Sequence, residues 1–325
     1  MRLVYFGTPS IAVPPLLKLV DEARAPVLVV TRRDRPKGRG LLSGPSPVRV
    51  AAESRGLPVA TPARADAPEE IERLKAARPD LIVLVAYGQI LGPELLAVPH
   101  IGAINLHFSL LPRHRGASPV QAAILAGDPM TGVTTMWMTA ALDEGPIFQS
   151  VPTPIGPDED AGSLAERLAR IGAQCLADTV AKIERGEIAR VKQDSSHASY
   201  ARKLTPEDAR LTLADDPVRF VRKVRALAPE PGANLTLESG RLLVLAASPG
   251  GVSGTSGAGT FGAGTSGATP GVVRALDPDR GLEIGLDQGS VWLRTVRPSG
   301  RRTMSGMAYA NGARLKPGDR LAVRA

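Results

Sequence analysis

Along the first hundred residues, short apolar runs alternate with stretches of helical period. Arg2–Phe6 and Pro26–Thr31 are compact apolar runs, and each predicts a β-strand. Asp80–Ala86 (DLIVLVA) is an unbroken Val/Ile/Leu run, the pattern of a central parallel strand covered on both faces. Pro14–Glu22 and Pro68–Ala77 carry helical spacing, with proline where a first turn tolerates it. Strands alternating with helices predict a doubly wound, Rossmann-like α/β sheet. The helical pattern Gly162–Arg185 ends this first domain near Ile188, so a catalytic-sized domain is predicted over 1–188.

From about Leu211 the period shortens. Leu235–Leu237, Leu242–Leu245, Gly271–Val273, Leu282–Ile284, Val291–Leu293 and Leu321–Val323 are strand-like pieces between Gly-rich turns. They predict a small β-barrel over 207–325, joined to the first domain by a linker at 189–206. Two stretches have no hydrophobic period. Arg32–Pro47 predicts a long loop; five of the nine residues Arg32–Gly40 are basic, which suits a mobile arm for phosphates. Pro249–Pro270 is nearly all Gly, Ser, Thr and Ala, too poor in apolar surface to offset the entropy of ordering, and predicts a flexible insert. Its two G-x-G-x-x-G matches, Gly257–Gly262 and Gly262–Gly267, lack the helix that a dinucleotide site needs after them.

One strand is polar where it should be apolar. Within Ile101–Asp128, Asn105 and His107 alternate with Ile104 and Leu106, so both polar side chains point to one side. Buried polar groups need partners or a ligand. The strand runs into an apolar lip, Ser109-Leu110-Leu111-Pro112, at the sheet edge where open α/β proteins bind ligands. Ala86–Leu91 follows the central strand at a second such edge, though a purely structural turn would look the same. Asp143, at a turn before Glu144-Gly145, is by itself ordinary turn chemistry.

Composition narrows the class. The hydrophobic fraction of 43% suits a globular chain, and no run of about 18 apolar residues predicts a membrane span. Cys175 is the single cysteine, so no internal disulfide can form; without a secretion signal a cytoplasmic protein is expected. The Leu168-Ile171-Cys175-Leu176 pattern places that thiol in a helix core. His100, His114 and His197 lack metal-ligand spacing, so no metal site is predicted. The net charge of +8 is uneven: residues 1–199 hold 22 Lys/Arg against 21 Asp/Glu, and residues 200–325 hold 18 against 11. A basic second half points to a polyanionic partner, nucleic acid ahead of membrane.

The motif NLHFSLLPRHRG, with Pro119, Ala123-Ile124, Gly132-Val133-Thr134 and Leu142-Asp143-Glu144-Gly145 following in order, resembles the folate-dependent formyltransferases. The resemblance covers nearly the whole chain outside Pro249–Pro270. It implies Asn105, His107 and Asp143 as the catalytic trio and 10-formyltetrahydrofolate as co-substrate. Ser109, Leu110, Leu111 and Pro112, with Tyr87, Gly88 and Ile90, are implied at the folate site. Asp34–Gly40 is similar to a DRPxGRG loop that enters the acceptor arm in the tRNA-acting members; it implies Arg35, Lys37 and above all Arg39 as tRNA contacts. SYARKLTPEDARL, Val224-Arg225-Ala226, Pro231-Gly232-Ala233 and Pro317–Leu321 match the family's linker and second domain, which sharpens the barrel to an OB-like one.

The implied reaction is formyl transfer to the methionyl amine of initiator tRNA for translation initiation, with no obligate protein partner. A small amine acceptor, such as glycinamide ribonucleotide or an amino sugar nucleotide, would use the same trio but leaves the basic barrel without a purpose. A catalytically dead α/β domain serving an RNA-binding module has no physical need for all three trio residues. Three positions depart from the family pattern: Phe108 follows the histidine where a small residue is usual, His114 stands where an aromatic is common, and Glu144-Gly145-Pro146 replaces T-G-D. Deleting Pro249–Pro270 is expected to leave formyl transfer intact; a deletion protein that folds but has lost activity would count against an inert insert.

Overall fold

The computed structural model describes residues 1–37, 42–250 and 269–324. The apolar runs near the amino terminus pair with one another in parallel. Strands β1 (Leu3–Gly7), β2 (Leu28–Val30), β3 (Val59–Ala60), β4 (Leu81–Val85), β5 (Gly102–His107), β6 (Met130–Trp137) and β7 (Ile147–Pro154) form one sheet in the order β7-β6-β5-β4-β1-β2-β3. From β3 to β5 all neighbours are parallel, and β6 and β7 add an antiparallel edge. All five residues of β1 are buried, as its unbroken apolar run requires of a central strand. The order 3-2-1-4-5 is that of a doubly wound sheet, which reverses direction between β1 and β4 and opens a crevice at the carboxyl ends there.

Helices α1 (Val13–Asp21) and α3 (Pro68–Ala77) stand where helical spacing predicted them. Between them lies α2 (Pro47–Ser54), which the sequence did not suggest. Ser46 caps it by accepting from the Arg49 amide at 3.0 Å, and Pro47 opens its first turn. With only Val48 and Ala52 buried, so short a helix shows little apolar period. The long loop expected over Arg32–Pro47 is also not wholly irregular. Arg35–Lys37 pairs antiparallel with Leu42–Gly44, in the register Arg35 to Gly44. Backbone pairing satisfies main-chain groups without any hydrophobic alternation, so the composition hid it. On one face of the sheet Val4, Phe6, Leu28, Val30, Ile82 and Ala103 share a core with Leu74 of α3 and with Leu91 and Leu95. Cys175 lies buried in α4 (Ala161–Glu184), where burial pushes its thiol pKa up.

The chain divides into two compact units, and the second is built from Ile124–Asp128, Gly156–Ser163 and Leu204–Ala325. Here β8 (Ala233–Leu237), β9 (Gly240–Pro249), β10 (Val273–Asp277), β11 (Gly281–Leu286) and β12 (Gly289–Pro298) form an antiparallel sheet in the order β8-β9-β12-β11-β10. Helix α5 (Pro217–Leu227) starts at Asp216, whose carboxylate accepts from the Val218 and Arg219 amides. It lays Phe220, Val224 and Leu227 against Leu235, Val244, Ile284 and Leu293.

Leu321–Val323, expected as a strand, instead ties down both edges of that sheet. Glu238 N donates to Ala322 O at 2.9 Å on the β8 side, and Leu321 N donates to Gly271 O at 2.7 Å beside β10. Isolated bridges, Leu237 to Val323 and Val272 to Arg320, are all the ladder it makes. Strand β9 runs through Pro249, which pairs with Val291, so the insert begins later than its composition suggested; 251–268 lie outside the described residues. Among the described residues no helix is long and apolar enough to cross a membrane. Replacing the fully buried Phe220 with Ala should destabilise the second unit by about 3–5 kcal/mol, read by urea denaturation; a loss under about 1 kcal/mol would mean that α5 is not part of its core.

Candidate active site

The register of the sheet brings three strand ends level: Gly7 of β1 pairs with Val85 of β4, and Leu84 of β4 pairs with Asn105 of β5. The loops leaving β1 and β4 are tied together, because the Thr8 hydroxyl donates to the Tyr87 carbonyl at 2.9 Å. Beside them β5 ends in Asn105 and His107, both buried. The turn after β6 reaches the same place and supplies Asp143, also buried. The Asn105 amide donates to Asp143 Oδ1 at 3.3 Å, and the Gly116 backbone amide donates to Oδ2 at 2.8 Å. His107 Nδ1 stands 3.6 Å from Asp143 Oδ2. Three residues that lie 27 to 38 positions before Asp143 thus share its carboxylate.

The other imidazole nitrogen has a partner that decides the proton's place. His107 Nε2 lies 2.9 Å from the His114 carbonyl oxygen. A carbonyl only accepts, so Nε2 carries the hydrogen, and in the neutral ring Nδ1 has the open lone pair. His114 offers that carbonyl from a left-handed backbone, φ 57°, and its amide donates to Ser199 Oγ at 2.9 Å.

The apolar lip continues from β5. The Ser109 hydroxyl donates to Arg113 O at 2.6 Å, Thr134 Oγ1 donates to Ser109 O at 2.7 Å, and Leu111 N donates to the same Thr134 oxygen at 3.2 Å. Leu111 is buried, Leu110 and Pro112 are half-buried, and the Leu111–Pro112 peptide is cis. Of the second loop, Tyr87 turns its ring into the core, edge-on to Phe6 at 5.1 Å. Burial, then the charge of Glu70, pushes its hydroxyl up to about 12. Gly88 has φ +84°, and a side chain there would meet Arg32 Nη1 at 3.2 Å. Ile90 is 83% exposed. Arg35 and Lys37 belong to the short ribbon, where only their backbone is described, and Arg39 lies outside the described residues.

Sequence reasoning missed Arg115, Gly116 and Gln193. The stretch expected as a linker carries Tyr200–Ala201, which pairs in parallel with Arg115–Gly116. Gln193 donates to the main-chain carbonyls of Asp143 at 2.9 Å and Gly145 at 2.7 Å. Nothing local marks these residues: Arg115 sat within a basic cluster, and Gln193 lies 50 residues from the turn that it holds. Among the described residues no three His, Cys, Asp or Glu side chains converge as metal ligands would.

Residues 1–180 match the family described as Formyl transferase, and 203–314 match the Formyl transferase, C-terminal domain. The chain belongs to the formyl transferase family. A protein named methionyl-tRNA formyltransferase from Acidothermus cellulolyticus is 45% identical, over 98% of this chain and 99% of the relative. One of the same name from Halorhodospira halophila is 44% identical, over 98% of both chains. Among solved structures, Aquifex aeolicus HypX in complex with tetrahydrofolic acid is 19% identical with a TM-score of 0.64, over 100% of this chain and 50% of that one. WlaRD, a sugar 3N-formyl transferase solved with dTDP and 5-N-formyl-THF, is 17% identical with a TM-score of 0.61, over 93% and 99%. At those identities the likeness is one of fold.

Gly116 gives this candidate site its sharpest local constraint. Its φ is +113°, and a Cβ would lie 2.6 Å from the Ala201 carbonyl oxygen. Gly116→Ala should therefore cost about 1–3 kcal/mol and displace the amide that binds Asp143. Thermal unfolding checks this, and an unchanged midpoint with unchanged turnover would show that the close approach is not required.

Proposed function

We propose that this chain transfers the formyl group of 10-formyltetrahydrofolate to the α-amino group of methionyl initiator tRNA. What carries the proposal is the buried Asn105–Asp143–His107 constellation in a chain whose relatives, at 44–45% identity over 98% of it, are named methionyl-tRNA formyltransferase. The solved neighbours whose titles name tetrahydrofolic acid and 5-N-formyl-THF share this fold, which supports a folate co-substrate here.

The chemistry follows from donor and acceptor capacity. The methionyl amine attacks the formyl carbon, which becomes tetrahedral and places negative charge on its oxygen. Asn105 uses one amide hydrogen on Asp143, and its amide is suited to donate the other to that oxyanion. The open lone pair of His107 Nδ1 takes the proton that the amine must lose. The imidazolium so formed faces the Asp143 carboxylate at 3.6 Å, which stabilises it until the proton passes to folate N10 as the C–N10 bond breaks. The formyl group leaves N10, the amine gains it, and one proton moves the other way.

The lip Ser109, Leu110, Leu111 and Pro112 would line the folate pocket with Gly88, Tyr87 and Ile90. Ile90 has the exposure for direct contact, whereas the Tyr87 ring would act from behind as a wall. Arg35, Lys37 and Arg39 would meet the tRNA, together with the basic second half. We read 1–188 as catalytic and 207–325 as an OB-like tRNA-binding domain, supported by the antiparallel sheet whose two edges share one C-terminal segment. The stretch 189–206 joins them, and such an enzyme works in the cytoplasm, where charged tRNA is.

The deciding assay offers 10-formyltetrahydrofolate with Met-charged initiator tRNA, free methionine and small amine acceptors. Product with the charged tRNA alone is expected. Product with a small acceptor instead would keep the chemistry and discard the tRNA. His107→Ala should lower turnover by about 10²–10⁴-fold while tRNA affinity stays near that of the parent; turnover preserved with affinity lost would refute the assigned role.

A further inference from the structure

Arg115 is a cation almost sealed from water, at 1% exposure, and a buried guanidinium must be both paired and hydrogen-bonded. Among the described residues its carboxylate partner is Glu144, with Oε1 at 3.3 Å from Nη1, and that side chain is itself 42% exposed. Its other hydrogens go largely to a neutral group. Gln193 Oε1 accepts from Nε at 3.1 Å and from Nη2 at 2.8 Å.

That pairing leaves Gln193 no choice of orientation. A guanidinium has five donors and no acceptor, so the glutamine must turn its oxygen toward Arg115. Its NH₂ then faces the opposite way, and both hydrogens land on the turn that carries the catalytic carboxylate, at Asp143 O and Gly145 O. The turn needs such a hold. Asp143 has a left-handed backbone, φ 54°, which persists in a residue with a side chain only where the surroundings over-determine it. On its far side Gly145 packs so closely that a Cβ would stand 1.7 Å from Trp137 O. The Asp143 carboxylate, offered to Asn105, Gly116 and His107, is therefore aimed by a backbone clamped from two sides.

We propose that Gln193, oriented by the buried Arg115, is a positioning residue for Asp143, so that the segment after the catalytic sheet sets the carboxylate's geometry in the reaction. The proposal rests on the role assigned above to Asp143. It touches no substrate atom and acts through the turn alone.

The discriminating variant is Gln193→Glu. It keeps an acceptor for Arg115, so the cation stays paired, but at neutral pH it removes both hydrogens from the carbonyls of Asp143 and Gly145. Turnover should fall about 100-fold, the loss typical of a roughly 1 Å misplacement, with KM for folate and acceptor close to the parent values. As pH is lowered the new carboxyl regains one hydrogen, so the turnover deficit relative to the parent should shrink, a dependence that a purely structural loss would not show. In an Asp143→Asn background the same change should have almost no further effect on turnover, because a clamp acting only through that carboxylate has nothing left to aim. Gln193→Leu, matched for thermal midpoint, checks that the loss does not come from the introduced charge.

Parental turnover in folded Gln193→Glu, or losses that multiply in the double variant, would overturn the proposal. All variants are read with whichever acceptor the parent formylates. Failure of the tRNA assignment then shows in the parent, and failure of the clamp shows only in the variants.

Discussion

Asp143 holds a carboxylate at 8% exposure, and an unpaired charge that far from water would cost several kcal/mol. It stays because two donors come to it, the Asn105 amide and the Gly116 backbone, and because His107 stands beside it at 3.6 Å. Each of these neighbours has its own support. Asn105 is held by the register of β5 against β4, Gly116 by pairing with Ala201, and His107 by the His114 carbonyl. The turn that offers the carboxylate is fixed by Gln193. The site is thus one hydrogen-bond network organised around a single anion, and a partly satisfied network would be worse than an apolar core.

The sheet explains why such a network can sit at one place. In a parallel sheet every strand delivers its carboxyl end to the same edge, and the reversal of order between β1 and β4 leaves a crevice there. The antiparallel strand β6 runs back along β5, with Thr134 opposite His107 and Trp137 opposite Ile104, and the turn after it brings Asp143 to the Asn105 and His107 side chains. The second unit solves a different problem, that of exposed sheet edges. Its two edge strands bond to one C-terminal segment, with a core from α5 on the sheet. Charge is segregated along with architecture, since the excess of Lys/Arg lies in the second half of the chain.

Elements with a strong period were legible before any coordinates. The all-buried β1, the largely buried β4, the helix Pro68–Ala77 and the long helix ending at Glu184 lie within a residue or two of where hydrophobic spacing put them. Elements that rest on backbone pairing or capping were not: α2, the ribbon Arg35–Lys37 with Leu42–Gly44, and the two-residue pairing at Gly116. Hydrogen bonding between main-chain groups leaves no trace in side-chain polarity, so no pattern announces it.

The site divides along the same line. Alternation alone put Asn105 and His107 on one side of a strand, and motif order singled out Asp143, because local period and short motifs are written in consecutive residues. Arg115 read as one more charge in a basic loop, yet the fold buries it. Gln193 read as linker, yet it spans 50 residues to hold the Asp143 turn. Whether a polar side chain faces water or a partner depends on what the fold stacks over it, and that is a property of residues distant in sequence. The sequence by itself determined the central strands β1, β2, β4 and β5, the polar strand end and the basic half; only the tertiary structure decided the sheet's outer strands and which neutral and charged groups close around the carboxylate, because burial is conferred by neighbours that no local window contains.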